Sequence, residues 1–127
     1  MHRVLIADDN AMLRDALKRM LLAGDEWQIC GEASNGEEAV KLATSSKPDV
    51  ILLDFQMPVM NGLTAAREII KGNPSVPIAM YTLHQNRFFE NEAKAAGVRR
   101  VISKTDLFSS LASSLQELLE PADGPGK

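Results

Sequence analysis

Five short apolar or β-branched runs alternate strictly with five stretches of helical periodicity along this chain, and few folds accept that order. The runs cover residues 3–7, 29–33, 50–54, 78–82 and 100–103 and are bounded by Gly, Pro, Asp or Asn, which reads as buried strands. Between the first two, Leu13, Ala16, Leu17, Met20 and Leu21 recur at i, i+3, i+4, i+7 and i+8, with Asn10 placed to cap the helix they form. That helix is expected to end near Ala23 and Gly24, the glycine supplying the left-handed residue. Residues 36–45 put Ala39, Val40, Leu42 and Ala43 on one apolar face, and Pro48 bars any further helix. Leu63, Ala66, Ile69 and Ile70 mark a third helix stopped by Gly72 and Pro74. A fourth, about 86–96, is more weakly patterned and stops at Gly97. Leu107, Phe108, Leu111, Leu115, Leu118 and Leu119 define the fifth, ahead of Pro121. Each right-handed crossover between parallel strands needs a helix to cover the sheet. The expected fold class is therefore α/β: a doubly wound, five-stranded parallel sheet with helices on both faces.

A chain of 127 residues has the usual size of one domain and can bury roughly two-thirds of its unfolded surface. One domain is expected over residues 1–120, with the Pro/Gly-rich stretch 121–127 as a linker stub or tail. No apolar run approaches the length of a membrane span, and the N-terminal apolar stretch runs straight into acids, unlike a secretory signal. The cytoplasm is the expected location. The single cysteine, Cys30, reads as a small buried apolar side chain, since it has no partner for a disulfide or a zinc site. A net charge of −3 argues against direct nucleic-acid binding, which needs clustered basic charge. The basic pair Arg99 and Arg100 reads as a solvated turn.

In a doubly wound sheet, ligands bind outside the carboxyl ends of the strands, where the strand order reverses. Here those ends deliver Asp8 and Asp9 after the first strand, Asp54 on the third, Thr82 on the fourth and Lys104 after the fifth. Singly, each has an ordinary explanation as a cap, a turn former or a solvated side chain. Together they make a demanding electrostatic problem. Two carboxylates about 5 Å apart repel by roughly 3 kcal/mol at an effective dielectric of about 20, so three of them need compensation. Lys104 supplies one positive charge, and a hard divalent cation with oxygen ligands, Mg²⁺ above all, supplies the rest.

With these residues in place, the chain resembles the receiver domain of two-component response regulators from about Arg3 to Leu119. The matching segments are 4–10, 48–58, Asn61-Gly62, Thr82, Ala96-Gly97-Val98 and Lys104. The resemblance implies a flavodoxin-like strand order of 2-1-3-4-5. It implies that Asp54 is the phosphoryl acceptor, a carboxylate nucleophile. It further implies that Asp9, Asp54 and the backbone carbonyl of Gln56 ligate Mg²⁺, with Asp8 acting through a metal-bound water. Thr82 would hydrogen-bond one phosphoryl oxygen and Lys104 pair with another. The donor would be a phosphohistidine of a sensor histidine kinase, and the domain would be no enzyme beyond assisting its own phosphorylation and dephosphorylation. Filling the site would move the loops of Thr82 and Lys104, and with them the face made by the fourth helix, fifth strand and fifth helix.

Two departures from the family pattern stand out. Val101 lies three residues before the lysine, where relatives carry a Tyr or Phe that swings inward. Coupling is therefore expected to be weaker or differently routed, with Phe88 and Phe89 as the candidate route; simple packing against the sheet is an equally good reading for one of those rings. Lys104 is followed by Thr105 where many relatives have a cis proline, so the bond is expected to be trans or a strained cis peptide. The resemblance also implies that Gln56 and His84 flank the phosphoryl group at positions that tune how fast water removes it, although a histidine there more often simply faces solvent.

The segment 31–39 and the missing proline look like receivers that precede a LuxR-type helix-turn-helix. A C-terminal DNA-binding domain in a longer protein, or a homodimer formed on phosphorylation, is the expected partner. The alternatives are a stand-alone receiver, or a pseudo-receiver serving as a protein-interaction module. A haloacid-dehalogenase-like hydrolase would need an acid where Gln56 stands. A flavodoxin-like electron carrier would need hydroxyls and glycines where Asp9, Asn10 and Ala11 stand, and neither GxGxxG nor a P-loop is present.

Overall fold

The structure is a computed structural model that describes residues 1–83 and 85–119. The elements follow the expected order: β1 (His2–Ala7), α1 (Ala11–Leu22), β2 (Trp27–Ala33), α2 (Gly36–Ser45), β3 (Val50–Asp54), α3 (Gly62–Gly72), β4 (Ile78–Thr82), α4 (Arg87–Ala95), β5 (Arg100–Ser103) and α5 (Leu107–Leu119), the last entered through a 3₁₀ turn at Lys104–Asp106. The five strands pair in parallel in the order β2-β1-β3-β4-β5, as the resemblance implies. β3 and β4 are buried at every position, which is why they carry no polar alternation.

Two apolar layers hold the helices to the sheet. On one face Val4, Ile6, Leu52, Tyr81 and Ile102 pack with Leu17 and Leu21 of α1 and with Leu107, Leu111 and Leu115 of α5. On the other, Leu5, Ile51, Leu53, Ile78 and Met80 meet Ala39 and Ala43 of α2, Ala66 and Ile69 of α3, and Phe89 and Ala93 of α4. Adjacent strand residues thus serve opposite faces, the period-two rule of a pleated sheet.

Four of the helices start on an asparagine. The side chains of Asn10, Asn35, Asn61 and Asn86 accept the backbone N–H of Leu13, Glu38, Thr64 and Phe89 respectively, each satisfying a donor that has no partner inside its helix. All four caps lie in loops that leave the carboxyl ends of strands, so the same residues that start helices also shape the rim above the sheet.

Several expectations need correction. Gly24 is not left-handed: α1 ends at Leu22 with Ala23 in a right-handed conformation, its N–H on the Arg19 carbonyl, and the positive-φ glycine among the described residues is Gly97 at 100°. The chain leaves α1 through an ordinary bend, because Glu26 is pulled directly into the edge of the sheet by the His2 N–H. Cys30 is half-buried, not buried. It is the extra residue where the β1–β2 register slips between Ile29 and Gly31, and its Sγ lies 3.6 Å from Ser46 Oγ. Nor do Arg99 and Arg100 form a solvated turn. Arg100 opens β5 and pairs with Glu117 of α5, while Arg99 donates to the Ser75 carbonyl at 3.1 Å. The tail expected over 121–127 lies outside the described residues.

Two glycines allow helices to press against the loop after β3. A Cβ on Gly62 would stand 2.6 Å from the Asp54 carbonyl oxygen, and one on Gly36 would stand 2.0 Å from that of Met60. Backbone cannot yield cheaply at such distances. Gly36→Ala is expected to cost about 1–3 kcal/mol in a urea melt, as overpacking does. Gly72→Ala, with nothing within 4 Å of the added carbon, is expected to stay within about 0.5 kcal/mol of the parent.

Candidate functional site

Strand alternation sorts the polar groups at the carboxyl edge. Ile6, Leu52 and Ile102 face α1 and α5, and two residues beyond each come Asp8, Asp54 and Lys104. Tyr81 faces the same side from β4, opposite Asp54 in the ladder. Thr82 follows it, buried, in register with Ser103 of β5. The structure thus brings Asp8, Asp9, Asp54 and Lys104 to one place, with Thr82 at the adjoining strand end. His84 lies outside the described residues.

The acids are close and mostly dry. Asp8 is fully buried, Asp54 is 2% exposed, and one carboxylate oxygen from each of Asp8, Asp9 and Asp54 lies within 4.8 Å of the others. Lys104 Nζ donates to Asp54 Oδ2 at 3.3 Å, and the Gln56 N–H reaches Asp54 Oδ1 at 3.3 Å. Gln56 itself is exposed, and so is Asp9. The Lys104–Thr105 peptide is trans, so no proline is needed to seat the lysine.

Asp8 is anchored at three points. Its Oδ1 accepts the Asn10 N–H at 2.7 Å, its Oδ2 accepts the Tyr81 hydroxyl at 2.5 Å, and its backbone carbonyl accepts from Arg14 Nη1 at 2.6 Å. Arg14 in turn donates from Nε to Glu32 at 3.1 Å, tying α1 and β2 to the loop that carries the acids. Neither Tyr81 nor Arg14 stood out in the sequence. A tyrosine inside an otherwise aliphatic strand, one residue before a strand-end threonine, was the available signal for the first; an arginine on a helix has none.

Electrostatics show how far compensation falls short. Burial, and next the charge of Asp8, push the Asp54 carboxyl up to about 6 against the opposing pull of Lys104. Burial, and next the Asp8 charge, likewise push the Tyr81 hydroxyl up, so it remains a protonated donor. An ammonium that bonds only one of three clustered carboxylates leaves a deficit of positive charge. A small hard cation with oxygen ligands fits both the donor set and the deficit, and Mg²⁺ meets that description.

Stability without divalent ions should carry the signature of this strain. A carboxyl whose folded pKa is raised from 3.8 to about 6 makes the folded state less stable as pH climbs between those values, because the unfolded chain gives up its proton first. Asp54→Asn removes that penalty. The variant is expected to melt several degrees above the parent near neutral pH, a gain of about 2–3 kcal/mol, with the gap closing by about pH 4. Thermal melts across pH in a chelator check it, and a gap independent of pH would contradict the electrostatic account.

Comparison with known proteins agrees with the architecture. A family model described as the response regulator receiver domain matches residues 4–116. The chain is 48% identical over 80 residues to a protein-glutamate methylesterase/protein-glutamine glutaminase of Methanosarcina acetivorans, an overlap of 63% of this chain and 23% of that protein. It is 35% identical to the transcriptional regulatory protein YdfI of Bacillus subtilis, covering 95% of this chain and 59% of that one. A crystal structure of a LuxR-family two-component response regulator from Aurantimonas superposes with a TM-score of 0.89 at 24% identity, over 94% of this chain and 85% of that chain, a likeness of fold. The chain therefore spans between about a quarter and three-fifths of these two curated relatives. With a doubly wound sheet, an acidic cluster with a lysine at its carboxyl edge, and a family match over nearly its whole length, the chain belongs to the receiver domains of two-component response regulators.

Proposed function

We propose that this receiver accepts a phosphoryl group on Asp54 from a phosphohistidine of a sensor histidine kinase and thereby switches an output surface. One observation carries the proposal: Lys104 Nζ sits 3.3 Å from the oxygen of a buried Asp54 whose neighbours are two further carboxylates. In the transfer an Asp54 oxygen attacks phosphorus, the P–N bond to the donor imidazole breaks, and the imidazole leaves with the bonding pair. Asp9, Asp54 and the backbone carbonyl of Gln56 would hold Mg²⁺ directly and Asp8 through a water. Bound Mg²⁺ supplies charge neutralisation for the carboxylates and for the phosphoryl oxygens. Lys104 meets the charge that develops on one of those oxygens, and the Thr82 hydroxyl donates to another. We place residues 1–120 in this domain, with 121–127 as a linker stub or tail, and the working location in the cytoplasm. Among the described residues no helix is long and apolar enough to cross a membrane.

For the output, the name of the Bacillus subtilis relative and the family of the Aurantimonas structure support a DNA-binding transcription domain as the partner that this module controls, with a phosphorylation-driven homodimer as one form of the switch. The domain itself is taken as the regulatory half and not as a catalyst. A pseudo-receiver would normally lack one of the acids or the lysine, and this site holds them all.

Relay to the output face would run by an uncommon route. Val101 is half-buried and cannot swing a ring. Phe89 of α4 is buried edge-on against Phe55, centroids 4.9 Å apart, and Phe55 directly follows Asp54; Phe88 is 75% exposed. A shift of the loop after β3 therefore presses on α4 through two rings.

Incubation with Mg²⁺ and acetyl phosphate should add the mass of one phosphoryl group, and Asp54→Asn should add none. Lys104→Met should slow the gain by about 100-fold, in line with the loss of one charge-stabilising donor. A gain that survives in Asp54→Asn would move the site elsewhere. With beryllofluoride, amide shifts are expected through α4, and Phe89→Leu should shrink them while leaving those beside Asp54 intact; undiminished α4 shifts in the variant would exclude the two-ring route.

A further inference from the structure

Tyr81 stands between the acids and the lysine, yet none of the phosphoryl chemistry above uses it. Its side chain is fully buried, and its hydroxyl meets Asp8 Oδ2 at 2.5 Å, while the Asn10 N–H takes Oδ1 of the same carboxylate at 2.7 Å. A carboxylate bonded at both oxygens is held against rotation about its last torsion, and each oxygen keeps a second lone pair for another partner. The level of the ring is fixed by the ladder, in which Tyr81 and Asp54 are partners. Its face lies 5.6 Å from Lys104 Nζ, so the aromatic body also seats the ammonium that reaches Asp54. Hydroxyl and ring thus touch different parts of the site, and substitution can separate them.

We propose that Tyr81 is a positioning residue for the divalent-cation half of this site: its hydroxyl locks the orientation of Asp8, and that lock sets the affinity for Mg²⁺. A tyrosine that merely filled the core would be replaceable by phenylalanine, because ring volume and lysine seat would both persist. Asp8 would then lose the one donor that fixes Oδ2. The inference rests on the receiver reading above, in which Asp8 faces the cation through water.

The test compares the parent with Tyr81→Phe by calorimetric titration with magnesium chloride, and by the Mg²⁺ dependence of phosphorylation by acetyl phosphate. Partners that orient a metal's direct ligands are worth about 10–100-fold in affinity, and Asp8 meets the cation through a water, so the Kd for Mg²⁺ should rise by at least about threefold. The half-saturating Mg²⁺ for phosphorylation should rise by the same factor, while the rate at saturating Mg²⁺ stays within about twofold because Phe keeps the lysine seat. In an Asp8→Ala background, where no side-chain acceptor is left for the hydroxyl, Tyr81→Phe should leave the Kd unchanged, since its route of action is gone. An unaltered Kd in Tyr81→Phe, a uniform fall in rate at every Mg²⁺ concentration, or an equal loss in both backgrounds would overturn the proposal. A parent protein that takes up neither Mg²⁺ nor a phosphoryl group would instead overturn the reading of Asp54.

Discussion

Like charges buried side by side are the constraint around which this domain is arranged. Asp8 and Asp54 are almost wholly removed from water, and the pair raises the cost of ionising Asp54 even with Lys104 bonded to it. A core built only for stability would not place acids there. The rest of the carboxyl edge responds to that choice. Asn10 and Tyr81 donate to Asp8, Gln56 and Lys104 donate to Asp54, and Arg14 holds the carbonyl between the two acids of the first loop. The site is therefore a strained anion cluster kept in register by donors, ready to be relieved by added positive charge.

That cluster can exist only because the scaffold beneath it is rigid. Two fully buried strands, β3 and β4, carry Asp54 and Thr82, and their ladder leaves little room for slippage, since a one-residue shift would send a tetrad of aliphatic side chains to the wrong layer. Gly36 lets α2 approach Met60 near the end of the loop after β3, and Gly62 lets α3 approach Asp54 and Phe55 at its start. The same loop contains Val59 at a φ of 70°, a conformation that a β-branched residue adopts only under such constraint. Of the two rings on α4, Phe89 is the one anchored, and its anchor is Phe55 at the start of that loop, so the loop and α4 are packed as one unit.

Much of this was legible from residue order. The strand runs, the helix faces and the cap at Asn10 follow from local preferences that hold wherever the chain is placed, and the strand-end acids are visible because a carboxyl after an apolar run is chemically conspicuous. The left-handed glycine expected at Gly24 failed because a bend sufficed once Glu26 was drawn to β1. The exposure of Cys30 was missed because a register slip between two strands leaves no mark in either strand alone. Tyr81 and Arg14 were missed for a related reason: each acts by reaching a residue many positions away.

Residue order alone determined the alternation of elements, hence a parallel α/β sheet, and it determined which charged groups stand at strand ends, since both depend on neighbours within a few positions. Tertiary structure decided which oxygen of Asp8 meets Tyr81, that Phe89 rather than Phe88 packs on Phe55, and how close the three carboxylates lie. Those are facts of distance between segments joined only through the sheet. Coulomb and hydrogen-bond energies depend on that distance, and no local pattern encodes it.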